Sequence, residues 1–321
     1  MSRPKKRKGG RVTPKGTGST KGIGAGADPV RSSRPGGPMD ISSIGPLDGP
    51  WADDPLDEIE GDEPDVLGYV GDAVASGHAA ELLVLASTVA DAIDEAERLG
   101  PLGDGVRDEG DGDGDQVDDG ESDEPDAWST AVEEFIGAVR PETTALLYAL
   151  RPLAPDEWRK RISAELASRH TPSLPTWIAL IADAEVTGIQ ARDVSGDEVD
   201  VFVGVRWPGG QEMTVIVHVD RADGGMVDDV MLTRTGIDVA IGAFLTEMDG
   251  SVDLDELVAV DLAEARAGLE AGVRRWETAW PQPSSDDWPS ARPLLMWLLS
   301  TLPDGGDPAR LRPPEGAAEE T

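Results

Sequence analysis

The chain contains no cysteine, which excludes disulfide bonds, zinc thiolate sites, iron–sulfur clusters and a cysteine nucleophile. Lysine is almost confined to the N-terminus, since Lys160 is the only lysine after Lys21. Long apolar runs are also missing: residues 294–299, one of the longest, span only six residues, whereas a membrane span needs about 20 residues. Residues 2–8 are basic, but no apolar segment follows them, so no secretory signal is predicted. We therefore expect a soluble cytoplasmic protein.

Charge is abundant and unevenly distributed. The 63 Asp and Glu against 28 Lys and Arg give a formal net charge of −35. Residues 1–37 hold ten bases and a single acid, Asp28, so they carry +9, and residues 38–321 carry −44. The excess of Arg over Lys, with abundant Ala, Gly, Asp and Val, is typical of GC-rich coding and favours a bacterial source.

Composition divides the chain into folded and unfolded parts. Segments rich in charge, Gly and Pro bury too little apolar surface to offset the entropy of ordering, so we predict that they are disordered. The predicted organisation is a disordered region at 1–64 that is basic at 1–37 and acidic at 38–64, a helical segment at 65–100, an acidic disordered linker at 101–126, an α+β globular domain at 127–303 and a disordered tail at 304–321.

The predicted domain places a group of strands between helices. Runs rich in β-branched residues at 199–207, 213–220 and 226–232 are separated by Gly-rich turns, and residues 186–194 are a candidate fourth strand. This pattern predicts an antiparallel meander of three or four strands, flanked by helices before and after it. The fold class is therefore α+β, and we expect the helices to cover one face of the sheet.

Helical spacing of apolar residues predicts a helix at 78–98 and a better-defined one at 261–280, where Asp261 is the expected N-cap. Pro293 is expected to begin the last helix, because proline suits a first helical turn. Five tryptophans fall on apolar helix faces and are expected in the core: Trp158, Trp177, Trp276, Trp280 and Trp297.

His218 lies in the sequence pattern that most suggests chemistry. Alternation along its strand puts Ile216, His218 and Asp220 on one face, opposite three valines. If the valines face the core, Asp228 or Asp229 of the next strand comes within reach of His218. A histidine with two or three carboxylates suits a divalent metal ion or acid–base catalysis. The simpler interpretation is an exposed strand face in which Asp220 begins a turn.

The basic N-terminal segment is the second candidate site. Its cations would release counterions from a polyanion such as RNA or DNA, or bind the acidic remainder of the chain. It has no aromatic residue for base stacking, so little sequence preference is expected. The candidate polyanion-binding residues are Arg3, Lys5, Lys6, Arg7, Lys8, Arg11, Lys15 and Lys21.

Two other motifs lack the residue spacing of the binding sites that they resemble. Residues 111–115 resemble the start of a calcium-binding loop, but Gln116 and Ser122 stand where an EF-hand needs Gly and Glu. The glycines at 16–26 follow no predicted strand and lack the order of a phosphate-binding loop. We therefore predict no cofactor and no resident metal.

With no complete catalytic set, a non-enzymatic interaction or adaptor protein with a basic N-terminal tail is the leading hypothesis. Its partner would be another protein. Two alternatives remain open: a metal-dependent or acid–base enzyme that uses the face of His218 and Asp220, and association with RNA or DNA through residues 3–21.

Overall fold

The computed structural model describes residues 66–100, 126–170, 173–194, 196–247, 257–280 and 288–311, all within the unit formed by residues 41–321. The predicted segments 1–37 and 38–64, and the linker up to residue 125, lie outside these residues. Asp126, the predicted last residue of the linker, instead caps the helix that follows, because its side chain accepts a hydrogen bond from Ser129 N.

Helices precede and follow an antiparallel sheet, which confirms the α+β class. The helices are Val66–Ser76 (α1), Ala79–Leu99 (α2), Ala127–Gly137 (α3), Pro141–Leu150 (α4), Asp156–Ser168 (α5), Thr176–Ala179 (α6), Ile237–Glu247 (α7), Leu262–Thr278 (α8) and Trp288–Ser300 (α9). The strands are Glu185–Asp193 (β1), Glu198–Arg206 (β2), Glu212–Asp220 (β3), Met226–Thr233 (β4) and Leu257–Ala259 (β5). Short 3₁₀ turns lie at Ile181–Asp183 and Pro308–Leu311.

The sheet is a meander with one added strand. Its order is β4-β3-β2-β1-β5, and every neighbouring pair is antiparallel. The first four strands are the predicted ones. The fifth strand, β5, is only three residues long, which is too short for alternation to predict from sequence.

The valine face of the sheet packs into the main core. Valines 199, 201, 203 and 205 of β2 and 215, 217 and 219 of β3 join this cluster, together with buried residues of α1, α2, α4, α8 and α9. The helical segment that contains α1 and α2 therefore belongs to the same core as the sheet. The opposite face, which we call the second face, was expected to be bare, but α7 packs on it with Ile241 and Leu245 against Phe202 and Ile216.

Helix α9 begins at Trp288, five residues before the predicted start, so Pro293 lies inside it. A proline inside a helix lacks an N–H and crowds the preceding turn. The buried Ser87 hydroxyl of α2 compensates at this point: it accepts a hydrogen bond from Leu294 N at 3.0 Å and donates one to Ser290 O at 2.6 Å. The contact that allows the proline is long-range, so local sequence could not predict it.

Two further expectations need correction. Trp280, expected in the core, is 95% exposed beyond the end of α8, whereas Trp276, one turn earlier, is buried. The predicted tail at 304–321 contains the Pro308–Leu311 turn, whose Leu311 is buried beside Gly268 of α8. Among the described residues, no helix is both long and apolar enough to cross a membrane.

Candidate functional site

Four polar residues lie in register across the second face of the sheet. Arg192 of β1 pairs with Asp200 of β2, Asp200 with His218 of β3, and His218 with Asp229 of β4. We call these four residues the polar row. Asp200 is two residues from Phe202, and His218 is two residues from Ile216, so each pair lies on the same face of the sheet. The polar row therefore shares its face with the apolar contacts of α7.

The structure pairs His218 with Asp200, not with Asp220. The Nδ1 of His218 donates to Asp200 Oδ1 at 3.0 Å. The Asp200 side chain is 5% exposed and that of His218 is 31% exposed, so the carboxylate is inside and the imidazole reaches solvent. His218 and Asp200 lie directly opposite each other on neighbouring strands, so their side chains can meet. His218 and Asp220 are two residues apart on one strand, which separates them by roughly 6.6 Å along the backbone.

The two predicted carboxylates take other partners. Asp220 Oδ1 accepts a hydrogen bond from Asp223 N at 3.2 Å, and Asp220 O accepts one from Gly225 N at 2.8 Å, so Asp220 begins the turn into β4. Asp229 lies opposite His218, but its Oδ1 accepts from Val230 N at 2.8 Å. Asp228 is the extra residue of a β-bulge at this point and adds negative charge near His218.

Arg192 and Asp200 are both buried but fit each other poorly. Arg192 Nη1 lies 3.7 Å from Asp200 Oδ2, which is too long for a hydrogen bond. Arg192 Nε and Nη1 and Asp200 Oδ2 are buried and have no hydrogen-bond partner among the residues that the structure describes. The charges offset each other, yet the unsatisfied atoms still carry the cost of lost hydration.

Negative charge around His218 favours its protonated form. The hydrogen bond to Asp200 raises the pKa of His218 above its usual 6.5; partial burial opposes this, and the charges of Asp200, Glu198 and Asp228 reinforce it. His78, the N-cap of α2, shows the reverse: burial lowers its pKa, and the charge of Arg234 lowers it further.

We expect His218→Gln to change how stability depends on pH. Because the pKa of His218 is raised on folding, its contribution is full below pH 6.5 and is lost as pH rises through the folded-state pKa. Urea unfolding at several pH values from 5.5 to 9 should therefore show wild-type stability falling relative to the variant as pH rises. His78→Gln should show the opposite sign, because the lowered pKa of His78 costs stability as pH falls. Parallel profiles for wild type and His218→Gln would contradict this prediction.

The polar row offers proton exchange at an imidazole and has no metal-binding geometry. Within the described ranges, no three His, Asp or Glu side chains come together as ligands for a metal ion. The acid–base hypothesis stays a prediction, and its carboxylate would be Asp200. Residues 111–115 and the eight basic residues from Arg3 to Lys21 lie outside the described residues.

Arg192 and Asp200 were not among the residues predicted from the sequence. The available signal was turn position: a hairpin centred on Gly209 places Asp200 and His218 opposite each other, because each lies nine residues from that glycine. A turn centred on Gly196 likewise places Arg192 opposite Asp200.

An open pocket of about 320 Å³ is lined by none of the residues of the polar row, and three of its polar side chains donate hydrogen bonds within the protein. Arg159 donates to Asp156 Oδ1 and to Ala154 O, both at 3.0 Å. The hydroxyls of its two serines donate to carbonyls within their own helices. Arg151, which also lines the pocket, lies with its guanidinium 5.8 Å from the centroid of the Tyr148 ring. The pocket's lining residues are Arg151, Pro152, Arg159, Ser163, Ala182, Trp297 and Ser300.

The chain matches no family model, and neither curated proteins nor solved structures give a significant match.

Proposed function

We propose that this is a non-enzymatic interaction protein. Its acidic folded part, the described residues between 66 and 311, is called the body, and its basic N-terminal segment, residues 1–37, contacts a charged protein partner. The observation that carries the proposal is the separation of charge along the chain: +9 in residues 1–37 and −44 in the remainder. Charge of this size steers association and selects partners of complementary charge.

Ion pairing within the body supports this separation. The described residues contain 32 acids and 16 bases. Eleven of their arginines lie within ion-pair distance of a carboxylate. Arg292 alone contacts Asp91, Asp94 and Glu277. The body's cations are thus largely neutralised by its own carboxylates, so the N-terminal segment is the main source of positive charge for a partner.

A segment attached to a folded body can raise the effective concentration of a second contact without a deep pocket. The basic segment would contact an acidic surface of the partner, and the body would contact a basic one. This arrangement predicts binding that depends strongly on salt, because exposed charges are screened within about 10 Å at 0.1 M ionic strength.

The test is an affinity pull-down that uses four forms of the protein as bait and compares the proteins retained at 50 mM and 500 mM salt. They are the full chain, residues 38–321, a variant with the eight basic residues from Arg3 to Lys21 changed to Gln, and a matched control with Arg3, Arg7 and Arg11 changed to Lys. We expect the full chain and the Lys control to retain a specific protein at low salt and release it at high salt. The other two forms should retain much less.

Nuclease treatment of the same samples separates the proposal from association with RNA or DNA. A partner that survives nuclease supports a protein–protein contact, and one that disappears favours the nucleic-acid alternative. Absence of any salt-sensitive partner, or equal retention by residues 38–321, would refute the role of the basic segment.

A further inference from the structure

The sheet separates two apolar clusters of very different size. The main core extends from α1 to the Pro308–Leu311 turn and includes the valine face of the sheet. On the second face, the cluster consists of buried Phe202, Ile216, Ile241 and Leu245, with Ile237, Phe244 and Leu257 at its margin. Within the described ranges, α7 is therefore held by a small set of side chains, and Val239 on its outer side is 61% exposed.

The contacts within this small cluster are specific but few. The rings of Phe202 and Phe244 meet edge to face, with centroids 5.4 Å apart. An aromatic pair of this kind adds stability beyond the burial of its area. Leu245 contributes by removing its apolar surface from water. This set stabilises α7 less than the main core stabilises α2 and α9, which bury eight and six residues.

The second face also carries the unsatisfied Arg192–Asp200 pair. Arg192 lies beside Leu257 in the β1–β5 pairing, and Leu257 packs on the small cluster. Water that reaches this face would restore hydrogen bonds to Arg192 Nε and Nη1 and to Asp200 Oδ2. Exposure of the face is therefore less unfavourable than its apolar area alone implies.

Hydrogen bonds hold the residues just before α7 to the sheet, whereas apolar contacts hold the helix itself. Thr214 Oγ1 of β3 donates to Thr235 O at 2.9 Å, and the Thr233 and Thr235 hydroxyls lie 2.7 Å apart. Gly236, which follows, has the Glu212 carboxylate where a side chain would start. This attachment defines a pivot at residues 235–236.

We propose that α7 is a local opening unit: it leaves the second face by turning at residues 235–236 while the main core stays folded. The opening exposes Phe202 and Ile216 and admits water to the second face. Its free energy is well below that of global unfolding, because only the small cluster is lost. The fold thereby controls access to an apolar surface beside the polar row.

Native-state hydrogen exchange of the full-length protein tests this proposal. Amides of α7 should be at least a hundredfold less protected than those of α2 and α9. Their exchange should also depend only weakly on urea, since a small opening exposes little surface. Exchange of α7 that matches α2 in both protection and urea dependence would overturn the proposal, because α7 would then open only in global unfolding.

Two matched variants of α7 sharpen the test. Leu245→Ala removes a buried contact with the second face and should speed exchange in α7 at least tenfold while α2 and α9 change less than threefold. Val239→Ala changes an exposed position on the same helix and should leave exchange in α7, α2 and α9 unchanged. Equal acceleration of α7, α2 and α9 by Leu245→Ala would refute a separate unit.

Discussion

A chain that begins at Asp126 should fail to fold cooperatively, although sequence composition places a domain boundary there. Helix α2 would be lost, and its Leu82, Leu83, Ala86 and Ala90 are almost completely buried in the main core. Fully burying one leucine contributes about 1.5–3 kcal/mol. The apolar residues of α2 together approach the entire 5–15 kcal/mol by which proteins are typically stable.

Circular dichroism and urea unfolding of residues 126–321 would measure this loss. We expect no sigmoidal transition, or a midpoint near zero urea. The control is a chain of residues 66–321, which keeps α1 and α2 but lacks the basic and acidic N-terminal segments, and which should keep the transition of the full chain. A normal transition for residues 126–321 would mean that the sheet and later helices form a sufficient core by themselves.

Composition assigned α2 to a helical segment of its own and left open whether it packs on the domain, because of its surroundings in sequence. Residues 38–64 and 101–126 on either side are acidic and rich in Gly and Pro, so the helix between them looked isolated. Its apolar spacing nevertheless predicted a helix at 78–98, close to the observed Ala79–Leu99. Periodicity identifies an element and its buried face, but it does not identify the element that covers that face.

The candidate site shows a similar division between local and long-range information. Alternation correctly placed His218 opposite the valine face of β3, and the glycine turns contained the register that pairs it with Asp200. The choice between Asp228 and Asp229 depended on the bulge in β4, which shifts the pairing by one residue. Nothing in the local sequence marks this bulge, so the partner across β4 could not be predicted.

Ser87→Ala should have a large effect for the loss of a single hydroxyl. Ser87 is 1% exposed and its hydroxyl lies between Leu294 N and Ser290 O, the amide and carbonyl that would bond directly in an unbroken α-helix. Alanine leaves the buried amide without this acceptor and the carbonyl without this donor. Leaving a buried polar group unsatisfied costs about 1–3 kcal/mol, so a loss of about 2–4 kcal/mol is expected.

Urea unfolding of Ser87→Ala should show this as a lower midpoint with an unchanged slope. Thr88→Ala is the matched control, since it removes a hydroxyl from the next residue of α2. The Thr88 hydroxyl is exposed and donates only to Val84 O within the same helix, so this change should cost less than about 0.5 kcal/mol. Adding Pro293→Ala to Ser87→Ala should recover part of the loss, because a regular α9 can then form without the inserted hydroxyl. Equal stability of Ser87→Ala and Thr88→Ala would show that the Leu294 amide finds another acceptor and that the Ser87 hydroxyl is not what allows a proline inside α9.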